Sequence, residues 1–67
     1  MKFEYDKEVD AGYLYVTYPV ADSAVEKTME LDKDIVLDLN EKGKLLGIEI
    51  LNASKVLTPE KMTELQA

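Results

Sequence analysis

Between Ile35 and Leu51 two apolar runs flank the tetrapeptide Asn40-Glu41-Lys42-Gly43, and this pairing limits the fold more than any other feature of the chain. A turn that begins with Asn and ends with Gly suits a type I turn with its glycine in the left-handed region. That connection closes a three-residue β-hairpin with a bulge. The flanking runs, Ile35-Val36-Leu37-Asp38-Leu39 and Leu45-Leu46-Gly47-Ile48-Glu49-Ile50-Leu51, are rich in residues that favour strands. In the three-residue form Asn40 aligns with Lys44, Leu39 with Leu45 and Leu37 with Gly47, and this register is preferred. A four-residue loop instead opposes Leu37 to Leu46 and Ile35 to Ile48. Either register leaves the second strand apolar on both sides, with Glu49 its one charge. One side is expected beneath a helix and the other against a second subunit. Gly47 weakens the strand it interrupts, so its expected use is to let a neighbouring ring or backbone approach closely.

The rest of the chain supplies partners for this hairpin. Lys2 to Tyr5 alternates, with Phe3 and Tyr5 on one side, and Asp6 to Gly12 is a charged connection. Gly12 to Tyr18 reads as a strand with Leu14, Val16 and Tyr18 on one face and Tyr13, Tyr15 and Thr17 on the other. Two phenols in a row suit a binding platform or a subunit interface, and equally a strand whose hydroxyls stay wet. Pro19, Asp22 and Ser23 end that strand. Ala24 to Leu31 reads as an outer strand with Val25, Lys27, Met29 and Leu31 on one face, helix being its competitor by composition. Asp32-Lys33-Asp34 is a turn. After the hairpin, Asn52 is an N-cap residue for one helical turn. Thr58-Pro59-Glu60 then opens a terminal helix from Pro59 to about Leu65. Val56, Leu57, Met62 and Leu65 are its core-covering residues. The expected fold is α+β: a small antiparallel sheet of four to five strands, meander-like, with a short C-terminal helix packed on one face.

A chain of 67 residues allows a single small domain, 1–67, with a core near the lower limit for independent folding. Without cysteine or histidine it has no disulfide, no thiolate zinc site and no hydrolytic triad. Oligomerisation is the device left to such a chain, so a homodimer or other homo-oligomer is expected. Fourteen acidic residues stand against eight lysines and no arginine, a net charge of −6, and the lysines form no basic run. That balance points away from nucleic acid and from anionic membrane surfaces. The opening residues are charged, and no apolar run approaches the roughly 20 residues of a membrane helix, so a cytoplasmic location is expected. Asn52-Ala53-Ser54 is expected to fit the glycosylation acceptor pattern by chance, since the opening residues do not read as a secretory signal.

Asp6, Glu8 and Asp10 alternate as oxygen ligands do at the start of a calcium loop. That loop requires glycine at its sixth position and glutamate at its twelfth, and here those positions are Ala11 and Thr17. The segment is therefore read as a solvated acidic connection, with no metal assigned. Ser54 and Lys55 are adjacent and point apart on a helical turn. Asp10 and Glu49 would be paired carboxylates if their strands adjoin. Gly43 and Gly47 lack the spacing of any phosphate loop. No residue is assigned a catalytic role and no cofactor is implied, which points away from an enzyme. The candidate binding residues are Asp6, Glu8, Asp10, Tyr13, Tyr15 and Glu49.

Several of these residues also carry a resemblance. Tyr5, Asp6, Glu8 and Asp10, with Val9 between the last two, and then Gly12-Tyr13-Leu14, Asp38 and Asn40, lead to the segment Gly43 to Lys55 with its Gly47-Ile48-Glu49-Ile50 core. In this pattern the chain resembles the small prokaryotic family known as domain of unknown function 2283, from its start to about Leu57. Val9 stands where that family usually has alanine, and Asn52 where it more often has aspartate. The resemblance implies a small sheet-based domain and brings no activity, substrate or catalytic residue. The leading functional reading is thus a non-enzymatic protein-interaction or self-associating module. One alternative is a binder of a small ligand or divalent cation through Asp6, Glu8, Asp10 and Glu49. Another is an antitoxin-like partner that covers a basic protein, itself unknown.

Overall fold

The computed structural model describes residues 2–66. Its strands β1 (Lys2–Asp6), β2 (Ala11–Tyr15), β3 (Lys27–Asp32), β4 (Ile35–Leu39) and β5 (Leu45–Leu51) form one antiparallel sheet in the order β1-β2-β5-β4-β3. Helices α1 (Ala53–Val56) and α2 (Pro59–Gln66) follow the last strand. The class is α+β, and the order is meander-like: β1-β2 and β3-β4-β5 are successive neighbours, and the β2–β5 pairing joins the two groups. The connection from β2 to β3 includes a short 3₁₀ turn, Asp22–Ala24, and a cis Tyr18–Pro19 peptide.

The β4–β5 hairpin closes as its turn composition dictates. Gly43 adopts φ +76°, its N–H donates to the Asn40 carbonyl at 2.9 Å, and Asn40 N–H pairs with the Lys44 carbonyl. The Asn40 side-chain carbonyl accepts from the N–H groups of Lys42 and Lys44, which fixes the loop from inside. Leu39 opposes Leu45 as expected. A bulge then inserts Leu46, so Asp38 faces Gly47 and Leu37 faces Ile48 rather than Gly47. This one-residue shift decides which side chains share each face of the sheet.

Two other sequence expectations change at strand ends. β2 stops at Tyr15 rather than Tyr18, because Val16 N–H and Thr17 N–H both donate to the single carbonyl of Leu46 and the chain leaves the ladder there. Tyr18 consequently packs beside Tyr15, on the face opposite Leu14. β3 starts at Lys27 rather than Ala24, and Val25 and Glu26 belong to the connection, where Glu26 N–H donates to the Leu39 carbonyl. It is an outer strand, as expected, and its residues are exposed on both sides.

Register assigns the faces, since directly opposed residues point the same way. Phe3, Leu14, Ile48, Leu37 and Met29 form one row across all five strands on one face. Glu4, Tyr13, Glu49, Val36 and Glu30 form the corresponding row on the other. The helices lie only over the first face, where α2 packs on β1 and α1 on β5. The core is centred on Phe3, Ile50 and Ala53, with Tyr5, Leu14, Ile48, Leu57, Met62 and Leu65 packed around it. Burying Phe3 contributes about 1.5–3 kcal/mol, and Gly12 makes room for it, because a side chain there would meet the Phe3 ring. The Thr58 hydroxyl caps α2 by accepting from Lys61 N–H at 3.1 Å, as the sequence predicts. Asn52 does not cap α1. It sits in the left-handed region at φ 51°, and its amide donates instead to Asp34 at 2.9 Å.

Coverage of the sheet is therefore one-sided and partial. The shortest dimension, 18 Å, is that of a sheet with a single layer on it. Ile35, Leu37 and Leu39 of β4 stay half-exposed outside the core, and Met29 of β3 is 39% exposed. In β5 the two exceptions to its apolar run, Gly47 and Glu49, fall on the same side. Beyond the bulge, its helix-free side carries Gly47, Glu49 and Leu51, and a tyrosine of the same chain covers the glycine.

Candidate functional site

The helix-free face is built on Gly47. A Cβ there would collide with the Tyr13 ring, so the missing side chain lets that ring lie across β5 and reach β4. Tyr13 hydroxyl donates to Asp38 Oδ2 at 2.7 Å, and Thr28 hydroxyl donates to Asp38 Oδ1 at 3.1 Å, which ties together β2, β4 and β3. Burial and the adjoining Asp38 carboxylate push the Tyr13 phenol well above its ordinary pKa.

From Tyr13 an aromatic layer extends toward β1. The Tyr13 and Tyr15 rings are 4.7 Å apart and tilted, and Tyr15 and Tyr18 meet edge to face at 5.0 Å. Tyr15 hydroxyl donates to Glu4 Oε1 at 2.8 Å, a bond that raises the phenol's pKa. Lys2 Nζ lies 4.4 Å above the Tyr18 ring, donates to the Tyr18 hydroxyl and stands 3.7 Å from Glu4 Oε2. The hydrogen bond to Tyr18 raises the Lys2 pKa first, with Glu4 adding to it.

Asp10 belongs to a different cluster, on the helix side. It occupies the left-handed region at φ 53°, which turns its carboxylate toward α1. It accepts from Ser54 hydroxyl at 2.7 Å, Ser54 N–H at 3.0 Å and Tyr5 hydroxyl at 2.7 Å, while its carbonyl accepts from Ala53 N–H. The bond from the Ser54 side chain, followed by that from Tyr5, holds this carboxyl below the usual carboxylate range. The acid thereby fastens the β1–β2 turn to the start of α1.

The candidate residues thus divide. Tyr13, Tyr15 and Glu49 come together on the helix-free face. Asp6 also points to that face, at the end of β1, but its Oδ1 is taken by Glu8 N–H across the turn, and Glu8 is exposed in the turn itself. Asp10 stands in the β1–β2 turn with its carboxylate held by Ser54 and Tyr5 on the helix side, while Glu49 of β5 faces the other way, so they form no carboxylate pair. Among the described residues no three carboxylates converge at the separation a metal ion requires. Sequence reasoning did not single out Asp38, Glu4, Lys2 or Thr28. For Asp38 a signal existed: it is the one acid inside an otherwise apolar strand, on the same side as Val36. Ser54 has no partnership with its neighbour Lys55; its hydroxyl and N–H both bond Asp10.

Comparison with known proteins places this geometry in context. A family model described as protein of unknown function (DUF2283) matches residues 2–54. An uncharacterized protein of Methanocaldococcus jannaschii is 41% identical over 61 residues, covering 91% of this chain and 48% of the relative. The chain therefore spans about half the length of that relative. No solved structure matches it. The matched segment contains the whole sheet together with Asp10, Gly47 and Ser54, and stops short of α2.

Proposed function

The chain belongs to the family described as protein of unknown function (DUF2283), and from its fold we propose a non-enzymatic interaction module that pairs with a second copy of itself. The observation that carries this reading is the half-covered sheet. Helices α1 and α2 lie over β1, β2 and β5, while Ile35, Leu37, Leu39 and Met29 present a half-exposed apolar strip outside the core that, among the described residues, neither helix lies over. Large side chains are scarce in the interior: among the described residues Phe3, Leu46 and Ile50 are the buried ones, with Ala53. Short chains with so small a core commonly complete it by association. A two-fold axis running along the strands would set the strip of one copy on that of the other while keeping the two helix layers apart.

Among the described residues no helix is long and apolar enough to cross a membrane, so the strip is not part of a helical membrane span. The cation reading draws no support from the site, because Asp10 is held on the helix side, Glu8 is exposed in the turn, and among the described residues no three carboxylates converge.

Sedimentation velocity at micromolar concentration tests the proposal. A dimer is expected for the natural chain and a monomer for Leu37→Lys, which puts a charge in the centre of the strip. A natural chain that sediments as a monomer would overturn it.

A further inference from the structure

A second surface lies on the opposite side of the sheet, and its charge is one-sided. By register Glu4, Asp6, Glu30, Asp38 and Glu49 stand on the helix-free face, against Lys2 alone among the strand residues there. The remaining lysines lie in turns, on the helices or on the helix-bearing face. Asp38 is satisfied by Tyr13 and Thr28. Glu49 and Glu30 make no hydrogen bond or ion pair among the described residues, and Glu49 is half-buried between Tyr13 and Val36. A carboxylate that has lost part of its water without gaining a cation favours any partner that supplies one.

The face already displays how it would hold such a group. Lys2 places its ammonium over the Tyr18 ring and beside Glu4, so the ring and the carboxylate share one cation. Tyr13 opposes Glu49 across the β2–β5 ladder, and no lysine stands in that row of strand residues.

Spacing narrows the partner further. Glu4, Glu49 and Glu30 fall in one row on β1, β5 and β3, each two strands from the next, which separates them by about 10 Å at ordinary strand spacing. Seven residues of an α-helix rise about 10.5 Å. We propose that this tyrosine and glutamate face binds a basic amphipathic helix of a partner protein, laid across the strands, with Lys or Arg at seven-residue intervals meeting Glu4, Glu49 and Glu30. The carboxylates are strung out in a line rather than clustered, which suits a row of side-chain cations and not a single metal ion. Since this face is opposite the apolar strip, it binds equally in a monomer or a dimer, and its test is separate from that of self-association.

The test is an amide-shift titration of the full chain with two synthetic helical peptides of equal composition. One carries lysine at three positions seven residues apart, and the other carries the same lysines in succession. The spaced peptide is expected to shift the amides of Tyr13, Tyr15, Glu30 and Glu49 and to leave α2 unchanged. Glu49→Gln and Glu30→Gln, the latter at an exposed position, are each expected to weaken it by about fivefold, and added salt to weaken it further. Three results would overturn the proposal: equal binding of the two peptides, shifts confined to other surfaces, or both variants binding as the natural chain does. Should Glu49→Gln perturb the fold, Glu30→Gln decides alone.

Discussion

At Gly47 any side chain would stand where the Tyr13 ring lies, and the consequence reaches three strands, because that ring is what brings the Tyr13 hydroxyl to Asp38. Gly47→Ala is expected to destabilise the fold by about 1–3 kcal/mol, the usual cost of overpacking, with the Tyr13 ring displaced from Asp38. Urea denaturation together with the Tyr13 ring resonances would measure both effects. The need for a close approach at Gly47 is legible from a glycine in mid-strand. The identity of the ring is not, since Tyr13 and Asp38 are 25 residues apart and Thr28 joins them from a third strand. Asp10 is a comparable case, with Ser54 44 residues away. Its carboxyl is held below the ordinary value, so the stability it supplies is full above the unfolded-state pKa of about 4 and is lost as pH falls through the lower folded value. Asp10→Asn is expected to lower Tm at neutral pH by about 4–8 °C, and the gap from the natural chain should narrow in strong acid. A gap that stays constant down to the acid limit would show that the charge contributes nothing.

Among the elements, the β4–β5 hairpin was the most legible, because turn type follows from local chemistry that Asn40 and Gly43 carry themselves. The bulge at Leu46 was not, for its cause is tertiary: the Leu46 carbonyl accepts from both Val16 and Thr17 of the neighbouring strand's exit. The same shared carbonyl ends β2 at Tyr15 and sends Tyr18 to the other side of the sheet. Helix α2 was legible at its start, where Thr58 and Pro59 supply a cap and a preset first turn. An eight-residue helix is marginal alone, so its existence rests on docking Met62 and Leu65 against the core. Thr58→Ala is expected to cost about 1 kcal/mol, with amide exchange accelerated first in Glu60 and Lys61. Faster exchange confined to β3 would contradict this account.

For the whole molecule, the proposed pairing of two copies makes stability a function of concentration. The Tm of the natural chain is expected to rise as its concentration is raised, and that of Leu37→Lys to stay level; calorimetry over a concentration series distinguishes the two. The sequence by itself determined the class of fold, the hairpin, the helix start and the acidic charge, because each is set by residues within a few positions of one another or by composition. It also offered Tyr13 and Tyr15 as a row suited to a platform or interface, and Glu49 with Asp6, Glu8 and Asp10 as candidate binding carboxylates. Only the tertiary structure decided that they share a face with Asp38 and Glu4, that Asp10 is instead a fastening for α1, and that the helices cover β1, β2 and β5 while leaving β3 and β4 open. Those outcomes depend on strand order and on a one-residue bulge. A period-two pattern records which residues alternate along a strand, but it carries no information about which strands become neighbours or which half of a sheet a short helix can reach.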